Sequence, residues 1–124
     1  GFDASIRPEL ARVLPAAPLA PLPREHVLYK SFYLLDRQGG RLAVKPWVEA
    51  QLLDGRAAVI YSQNDLGGAW ARSELGEWEF PCTPGGEAQR ELAFRVGVNV
   101  AMYALCTDYK DDAVHLPFIL RRRS

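Results

Sequence analysis

The first apolar residues of the chain recur at helical spacing. They are Ile6, Leu10, Val13 and Leu14. An i, i+4, i+7 pattern puts such residues on one face of a helix, with polar residues on the opposite face. The pattern therefore predicts an amphipathic helix over residues 3–14.

A proline-rich segment follows this helix, with prolines at positions 15, 18, 21 and 23. Proline lacks a backbone N–H and clashes with the preceding helical turn, so the segment is expected to be extended. Its leucines, Leu19 and Leu22, predict that it packs against the domain and is not a free linker. A short second helix is predicted from Pro23 to Phe32, because proline suits the first helical position.

A β-hairpin is the clearest local pattern in the sequence. Polar and apolar residues alternate from Trp47 to Leu53, as in a half-buried strand. The dipeptide Asp54-Gly55 follows, and it favours a tight two-residue turn. The next segment, from Ala57 to Tyr61, is apolar on both faces, as in a central strand of a covered sheet. An edge strand is therefore expected to fold back on a central one.

A long closing helix is predicted from Glu87 to Cys106, after an irregular, glycine-rich stretch from Gln63 to Gly86. The second half of this helix is apolar almost all round, apart from Asn99. A buried amide needs hydrogen-bonding partners, so we expect Asn99 to bind the backbone of a neighbouring loop. Gly97, which is unfavourable within a helix, implies that another group packs closely there. The residues from Val114 to Leu120 are predicted to form a terminal strand.

Composition places the chain among globular single domains. It has 124 residues, 48% of them hydrophobic and 24% charged, with 15 basic residues balancing 15 acidic ones. This balance argues against a nucleic-acid partner, since no net positive charge attracts phosphates. No apolar stretch approaches the length of about 18 residues that a membrane span requires. The chain begins without methionine, so we expect a single domain, residues 1–124, excised from a longer protein. Membrane contact is then expected only through flanking segments outside this sequence.

Few residues point to metal or nucleophilic chemistry. The two cysteines, Cys82 and Cys106, allow one disulfide at most, and the sequence leaves their pairing open. Neither lies where a thiol would be activated, so buried, inert cysteines are expected. The two histidines, His26 and His115, lack the spacing of a zinc site. We expect neither a metal nor a cofactor.

The best candidate site follows the most apolar strand. Ser62, Asn64 and Asp65 come directly after it, and open α/β sheets bind ligands beyond the carboxyl ends of their strands. Trp70 could stack on a ligand, and His26 is expected nearby. The structural alternative is that Asn64 and Asp65 fix the loop or cap the helix that follows.

Three segments carry a resemblance to a known family. They are Phe2-Asp3 with Arg7, Glu9 and Leu10; His26 with Phe32-Tyr33; and Arg56 to Ser62 with Asn64-Asp65-Leu66 and Trp70. The closing helix, with Gly97-Val98-Asn99-Val100 and Tyr103-Ala104-Leu105, adds to it. The chain resembles the bacterial family named domain of unknown function 4159. The resemblance implies relatives among class I glutamine-amidotransferase-like, flavodoxin-like domains, which are often attached to membrane-anchored envelope proteins.

These observations together predict an α/β three-layer domain, flavodoxin-like or a C-terminal portion of one, with a β-hairpin and a long closing helix. The expected function is that of a non-catalytic binding or interaction module of a bacterial envelope-associated protein. Its partner would be a protein or a small molecule that the sequence does not identify. The alternative is a hydrolase-like enzyme whose site lies around Asp65, with His26 as a second group. The compartment of the parent protein, the cell envelope, is an expectation that comes from the resemblance.

Overall fold

The computed structural model describes residues 1–106, and its elements surround one small sheet. In chain order they are α1 (Phe2–Val13), β1 (Ala20–Pro21), a 3₁₀ helix (Val27–Lys30), β2 (Glu49–Leu53), β3 (Arg56–Tyr61), α2 (Leu66–Trp70) and α3 (Gly86–Cys106). The predicted terminal strand, Val114 to Leu120, and His115 lie outside the described residues. The second predicted helix is shorter than expected, a single 3₁₀ turn within the range from Pro23 to Phe32.

The hairpin forms as the sequence predicts. β2 and β3 pair antiparallel, and Leu53 opposes Arg56 across the turn. Asp54 and Gly55 both have positive φ, 51° and 81°, which is the conformation of a type I′ turn. Further along, the register shifts between Gln51 and Leu52. The two-residue turn therefore sets the register of the strands next to the turn. Further from the turn, a β-bulge shifts this register by one residue.

The order of the strands corrects the expected roles of β2 and β3. The described sheet has the order β1-β2-β3, so β2 is central and β3 is at an edge. The second neighbour of β2 is β1, a two-residue strand in the proline-rich segment, where Ala20 pairs with Ala50. Every described pairing is antiparallel, whereas a flavodoxin-like sheet is parallel. The described residues thus give a mixed helix-and-sheet domain with a three-stranded antiparallel sheet.

The main core lies between the sheet and α3. Ala50 on β2 and Val96 on α3 are both buried there, together with Leu28 and Tyr29 of the 3₁₀ helix. Leu22 of the proline-rich segment is also buried in this core, which confirms that the segment packs against the domain. On α3, a Cβ at Gly97 would lie 2.8 Å from Cζ2 of Trp70. The close packing expected at this glycine is therefore with the indole of Trp70.

Helix α1 lies on the other face of the sheet, and polar contacts hold it. It has no buried residue, although its apolar pattern resembles that of a core helix. Glu49 and Gln51 point towards it, because alternate residues of a strand face opposite sides of a sheet. The side-chain amide of Gln51 donates to the Leu10 and Ala17 carbonyls at 2.7 and 3.0 Å, and Arg7 contacts Glu49. The sheet thus has a helix on each face.

Buried amide side chains hold the irregular parts of the chain. The Oδ1 of Asn99, which is fully buried, accepts from the backbone N–H groups of Phe32 and Tyr33 at 3.2 and 2.8 Å. Its Nδ2 donates to the Leu28 and Tyr33 carbonyls, each at 2.9 Å. Gln89 bonds in a similar way to three backbone groups of the loops around it. Backbone groups that lack partners in secondary structure are satisfied here by side chains.

Candidate functional site

The loop after β3 has a structural role, because its polar side chains bind the backbone. Asn64 is fully buried, and its Oδ1 accepts from the backbone N–H groups of Val44 and Lys45, each at 2.8 Å. Its Nδ2 donates to the Lys45 carbonyl at 2.7 Å. The hydroxyl of Ser62 accepts from the backbone N–H of Asn64. These bonds fasten the loop to the segment before β2, so Ser62 and Asn64 are occupied by the fold itself.

Asp65 caps helix α2. It adopts the left-handed conformation, with φ of 57°, and its Oδ1 accepts from the backbone N–H of Gly68 at 2.9 Å. Its Oδ2 pairs with the guanidinium of Arg41. The bond from Arg41 is the main reason that the pKa of Asp65 lies below its usual value, and the bond from Gly68 adds to the effect. Both oxygens are engaged, as the capping interpretation of this residue predicts.

Trp70 and His26 lie in different places. Trp70, at the end of α2, packs on α3, with its ring centroid 6.5 Å from that of Phe94. His26 precedes the 3₁₀ helix; its Nδ1 accepts from the Leu28 N–H, and its Nε2 is 3.0 Å from the Gly55 carbonyl. Gly55 and Asp65 are at opposite ends of β3, a separation on the order of 20 Å for six residues. The structure therefore does not bring His26 and Asp65 together.

A second polar network, which the sequence analysis missed, joins α1 to the sheet. Arg7 forms two hydrogen bonds with Glu49, at 2.6 and 3.0 Å, and its Nε contacts Asp3 at 3.0 Å. The Tyr61 hydroxyl donates to Asp3, and the Gln63 amide donates to Glu49. The bonds from Arg7 hold the pKa values of both carboxyl groups below their usual values. The network has a structural role, since each of the two carboxylates accepts hydrogen bonds from at least two donors.

A cleft opens between the proline-rich segment and the loops that precede β2. Its volume is about 320 Å³, at the lower end of the range of about 300–1,000 Å³ for small-molecule sites. One wall is formed by Pro21, Leu22 and Arg24, and the ring of Tyr29 lines the cleft beside them. The Tyr29 hydroxyl donates to the Leu22 carbonyl at 3.0 Å. It also accepts from the backbone N–H of Val48, the residue directly before β2. Tyr29 thus contributes an apolar ring whose polar atom is already bonded.

The rest of the lining comes from two other parts of the chain. Leu35, Asp36 and Gln38 belong to the loop after the 3₁₀ helix, and Pro46 and Trp47 come directly before β2. Most of these groups are apolar, and few polar side chains converge with them. This composition is typical of a ligand site, in which apolar walls provide the contact area and a few polar groups fix orientation.

The lining of the cleft contains one cationic residue, Arg24, and one carboxylate, Asp36. Arg24 is exposed and has no hydrogen bond or ion pair with residues 1–106. Asp36 has a long contact with its neighbour Arg37, 3.8 Å, and the ammonium of Lys45 lies 5.6 Å from the centre of the Trp47 ring. Arg24 and Trp47 are the residues that a sequence reading could have singled out, since each is a large side chain beside a proline. Nothing in the sequence indicated that Arg24 and Trp47 would line the same cleft.

The chain was compared with protein families and with curated proteins. The sequence model of the domain of unknown function family DUF4159 matches residues 1–105. The chain belongs to the DUF4159 family. No curated protein matches it significantly.

The DUF4159 match spans all the elements described above, from α1 to the penultimate residue of α3. The residues that carried the resemblance are therefore part of one folded unit. Several of them are structural: Arg7 ties α1 to β2, Asn64 clasps a loop, and Asn99 holds the 3₁₀ helix. The family match thus agrees with the fold and leaves the ligand open.

The cysteines of this DUF4159 domain are not paired with each other. Cys82 is buried, Cys106 is half-buried, and both are free thiols, which answers the question of their pairing. Among residues 1–106, no group of histidine, cysteine and carboxylate side chains is arranged to hold a metal ion. No helix in the same range has both the length and the apolar character of a membrane span.

Proposed function

We propose that this domain is a non-catalytic binding module of a bacterial envelope-associated protein, and that it binds its ligand in the cleft beside the proline-rich segment. The observation that carries the proposal is the guanidinium of Arg24, which has no partner among residues 1–106 and lines a cleft together with Leu22, Leu35 and Trp47. A charged group without a protein partner beside apolar walls is suited to orient a ligand. The envelope context comes from the family resemblance.

Binding is favoured over catalysis because the carboxylates of the two polar networks, Asp65 and Glu49, are used by the fold. An acid–base mechanism needs a group within hydrogen-bond reach of a substrate and free to exchange a proton. Asp65 is bonded to Arg41 and Gly68, and Glu49 is bonded to Arg7 and Gln63. The hydrolase alternative needs a partner for Asp65, and His26 lies instead at the hairpin turn.

The proposal also covers the wider fold. We infer that the domain is part of a three-layer, flavodoxin-like and amidotransferase-like unit whose sheet is larger than the described one. What supports this is β3, which is apolar from Ala57 to Tyr61 and lies at the edge of the described sheet. An apolar edge without proline or lysine is a place where a further strand can pair. The N–H of Ala57 is already covered by the Tyr103 hydroxyl.

A fragment screen by ¹H–¹⁵N NMR tests the binding site. Small neutral and charged organic fragments are added to the ¹⁵N-labelled 124-residue chain, and the shifted amides are mapped. We expect the shifts to cluster at residues 21–24, 35–38 and 46–47. Clustering at residues 62–65, or no saturable shifts at all, would contradict the proposed site.

A pair of neighbouring variants sharpens this screen. Asp36 lines the cleft and Arg37 does not, while both side chains are more than three-quarters exposed. Asp36→Trp should fill the mouth and weaken fragment binding at least tenfold. Arg37→Trp places the same bulk beside the cleft and should leave binding within about twofold of the original chain. Equal effects of the two variants would count against the cleft.

A further inference from the structure

The lining of the cleft limits the chemistry of its ligand. Leu22, Leu35 and Trp47 offer apolar surface, and the hydroxyl of Tyr29 is already bonded to the Leu22 carbonyl and the Val48 N–H. A polar ligand body would lose its hydrogen bonds to water against these walls without replacing them. The part of the ligand that lies against these three side chains is therefore apolar.

The charges around the mouth select the other end of the ligand. Arg24 lines the cleft and has no partner in the described part of the chain, and Lys45 lies against the face of Trp47. The carboxylate of Asp36 has the guanidinium of Arg37 beside it. Of the two charged residues that line the cleft, Asp36 thus has a cation beside it and Arg24 has no partner among residues 1–106, so a negatively charged group is favoured at Arg24.

We propose that the cleft binds a small amphiphilic carboxylate, whose carboxyl group pairs with Arg24 and whose apolar body lies between Leu35 and Trp47. This inference rests on the proposed function, because it names the ligand class of the same cleft. A guanidinium can donate two parallel hydrogen bonds to a carboxylate, which fixes orientation as well as charge.

The volume of the cleft further limits the class of ligand. A volume of about 320 Å³ suits a single ring or a short branched chain and excludes a dinucleotide or a long acyl chain. The carboxylate has two possible sources, a free organic acid or the C-terminus of a peptide that ends in an apolar residue. The chemistry at Arg24 is the same in both, so the test includes one probe of each kind.

The experiment compares charged probes with neutral isosteres. Phenylacetate and phenylacetamide are titrated separately into the ¹⁵N-labelled chain, and dissociation constants are taken from the shifted amides of the cleft. The peptide Gly-Gly-Phe is titrated with a free and with an amidated C-terminus. We expect phenylacetate to bind at least tenfold more tightly than phenylacetamide, since charge-assisted hydrogen bonds are the strong ones. If the peptide with a free C-terminus binds more tightly than phenylacetate, the natural carboxylate is the C-terminus of a peptide.

Matched arginine variants show whether Arg24 provides the selectivity. Arg24→Gln should bring the two dissociation constants within about twofold of each other. Arg56→Gln removes a similarly exposed cation on β3 and should preserve the tenfold difference. Equal affinities for phenylacetate and phenylacetamide in the original chain, or a difference that survives Arg24→Gln, would overturn the inference. If neutral fragments still bind in the cleft, only the ligand class fails; if nothing binds there, the proposed function fails as well.

Discussion

Asn99 and Tyr33 exchange two hydrogen bonds across the interface between α3 and the loop that follows the 3₁₀ helix. The backbone N–H of Tyr33 donates to Oδ1 at 2.8 Å, and Nδ2 donates to the Tyr33 carbonyl at 2.9 Å. The side chain of Asn99 thus pairs with this backbone as a neighbouring strand would. The loop held in this way continues into Leu35 and Asp36, so Asn99 indirectly positions one wall of the cleft.

Replacing Asn99 with leucine should destabilise the domain. The change removes the side-chain partner of the buried Leu28 carbonyl and of the part-buried backbone groups of Tyr33, and an unsatisfied buried group costs about 1–3 kcal/mol. We expect a loss of at least ~2 kcal/mol in the free energy of unfolding, measured by urea denaturation. Val98→Leu, on the exposed face of the same helix, is the control and should change stability by less than about 0.5 kcal/mol. Equal stability of the two variants would show that the bonds of Asn99 contribute nothing.

Two glycines with open space around them separate backbone conformation from packing. A Cβ at Gly55 or at Gly67 would meet no atom within 4 Å, but only Gly55 has a positive φ, 81°. Gly55→Ala should therefore cost about 1 kcal/mol, because an L-residue is strained in that region. Gly67→Ala, within α2, should be neutral or stabilise by up to about 1 kcal/mol through helix propensity. Thermal unfolding of both variants checks the opposite signs, and a neutral Gly55→Ala would argue against the type I′ turn.

Asp65 should affect stability without affecting the cleft. Asp65→Ala removes the cap of α2 and the partner of Arg41, and we expect a loss of about 0.5–2 kcal/mol. Asp65→Asn keeps a cap acceptor and tolerates the left-handed conformation, so it should lose less. Urea unfolding measures both, and phenylacetate titrations should give the same dissociation constant in both variants. If the dissociation constant rises tenfold in Asp65→Asn, the ligand binds at the loop after β3 and not in the cleft.

Stability should fall at acidic pH, in part because of Glu49. Its pKa lies below the usual value because Arg7 is hydrogen-bonded to it, with a further bond from Gln63. A lowered pKa in the folded state means that the stabilisation is complete above the unfolded value, about 4.3, and is lost as the pH falls through the folded pKa. The melting temperature should thus change little from pH 7 to about pH 5 and decline below that. Glu49→Gln should show a shallower decline, and an unchanged slope would contradict the assignment.

Local chemistry made part of the fold predictable. The hairpin follows from Asp54-Gly55, whose preference for positive φ acts within two residues. The burial and bonding of Asn99 follow from a lone amide in an apolar helix. The capping alternative for Asp65 also needed only neighbouring residues. In each case the determining contacts, or the reason for them, can be recognised within one short segment.

Contacts between distant segments account for what the sequence did not show. Apolar residues on both faces of β3 indicate coverage by other layers, but they do not say which strand edges are paired. The pairing of β1 with β2 involves only Ala20 and Pro21, too short a strand to leave a pattern. The cleft is harder still to predict, because its lining comes from separate segments, and whether Arg24 and Leu35 line the same cleft depends on how the proline-rich segment packs.

The position of a bound carboxylate compound tests the proposed site in the cleft most directly. Intermolecular nuclear Overhauser effects from the ring protons of phenylacetate to the ¹³C-labelled chain report that position. We expect contacts with the Leu35 methyl groups and the Trp47 indole, and the loss of these contacts in Arg24→Gln at the same ligand concentration. Contacts with Trp70 and Phe94, or with the loop from Ser62 to Asp65, would contradict it.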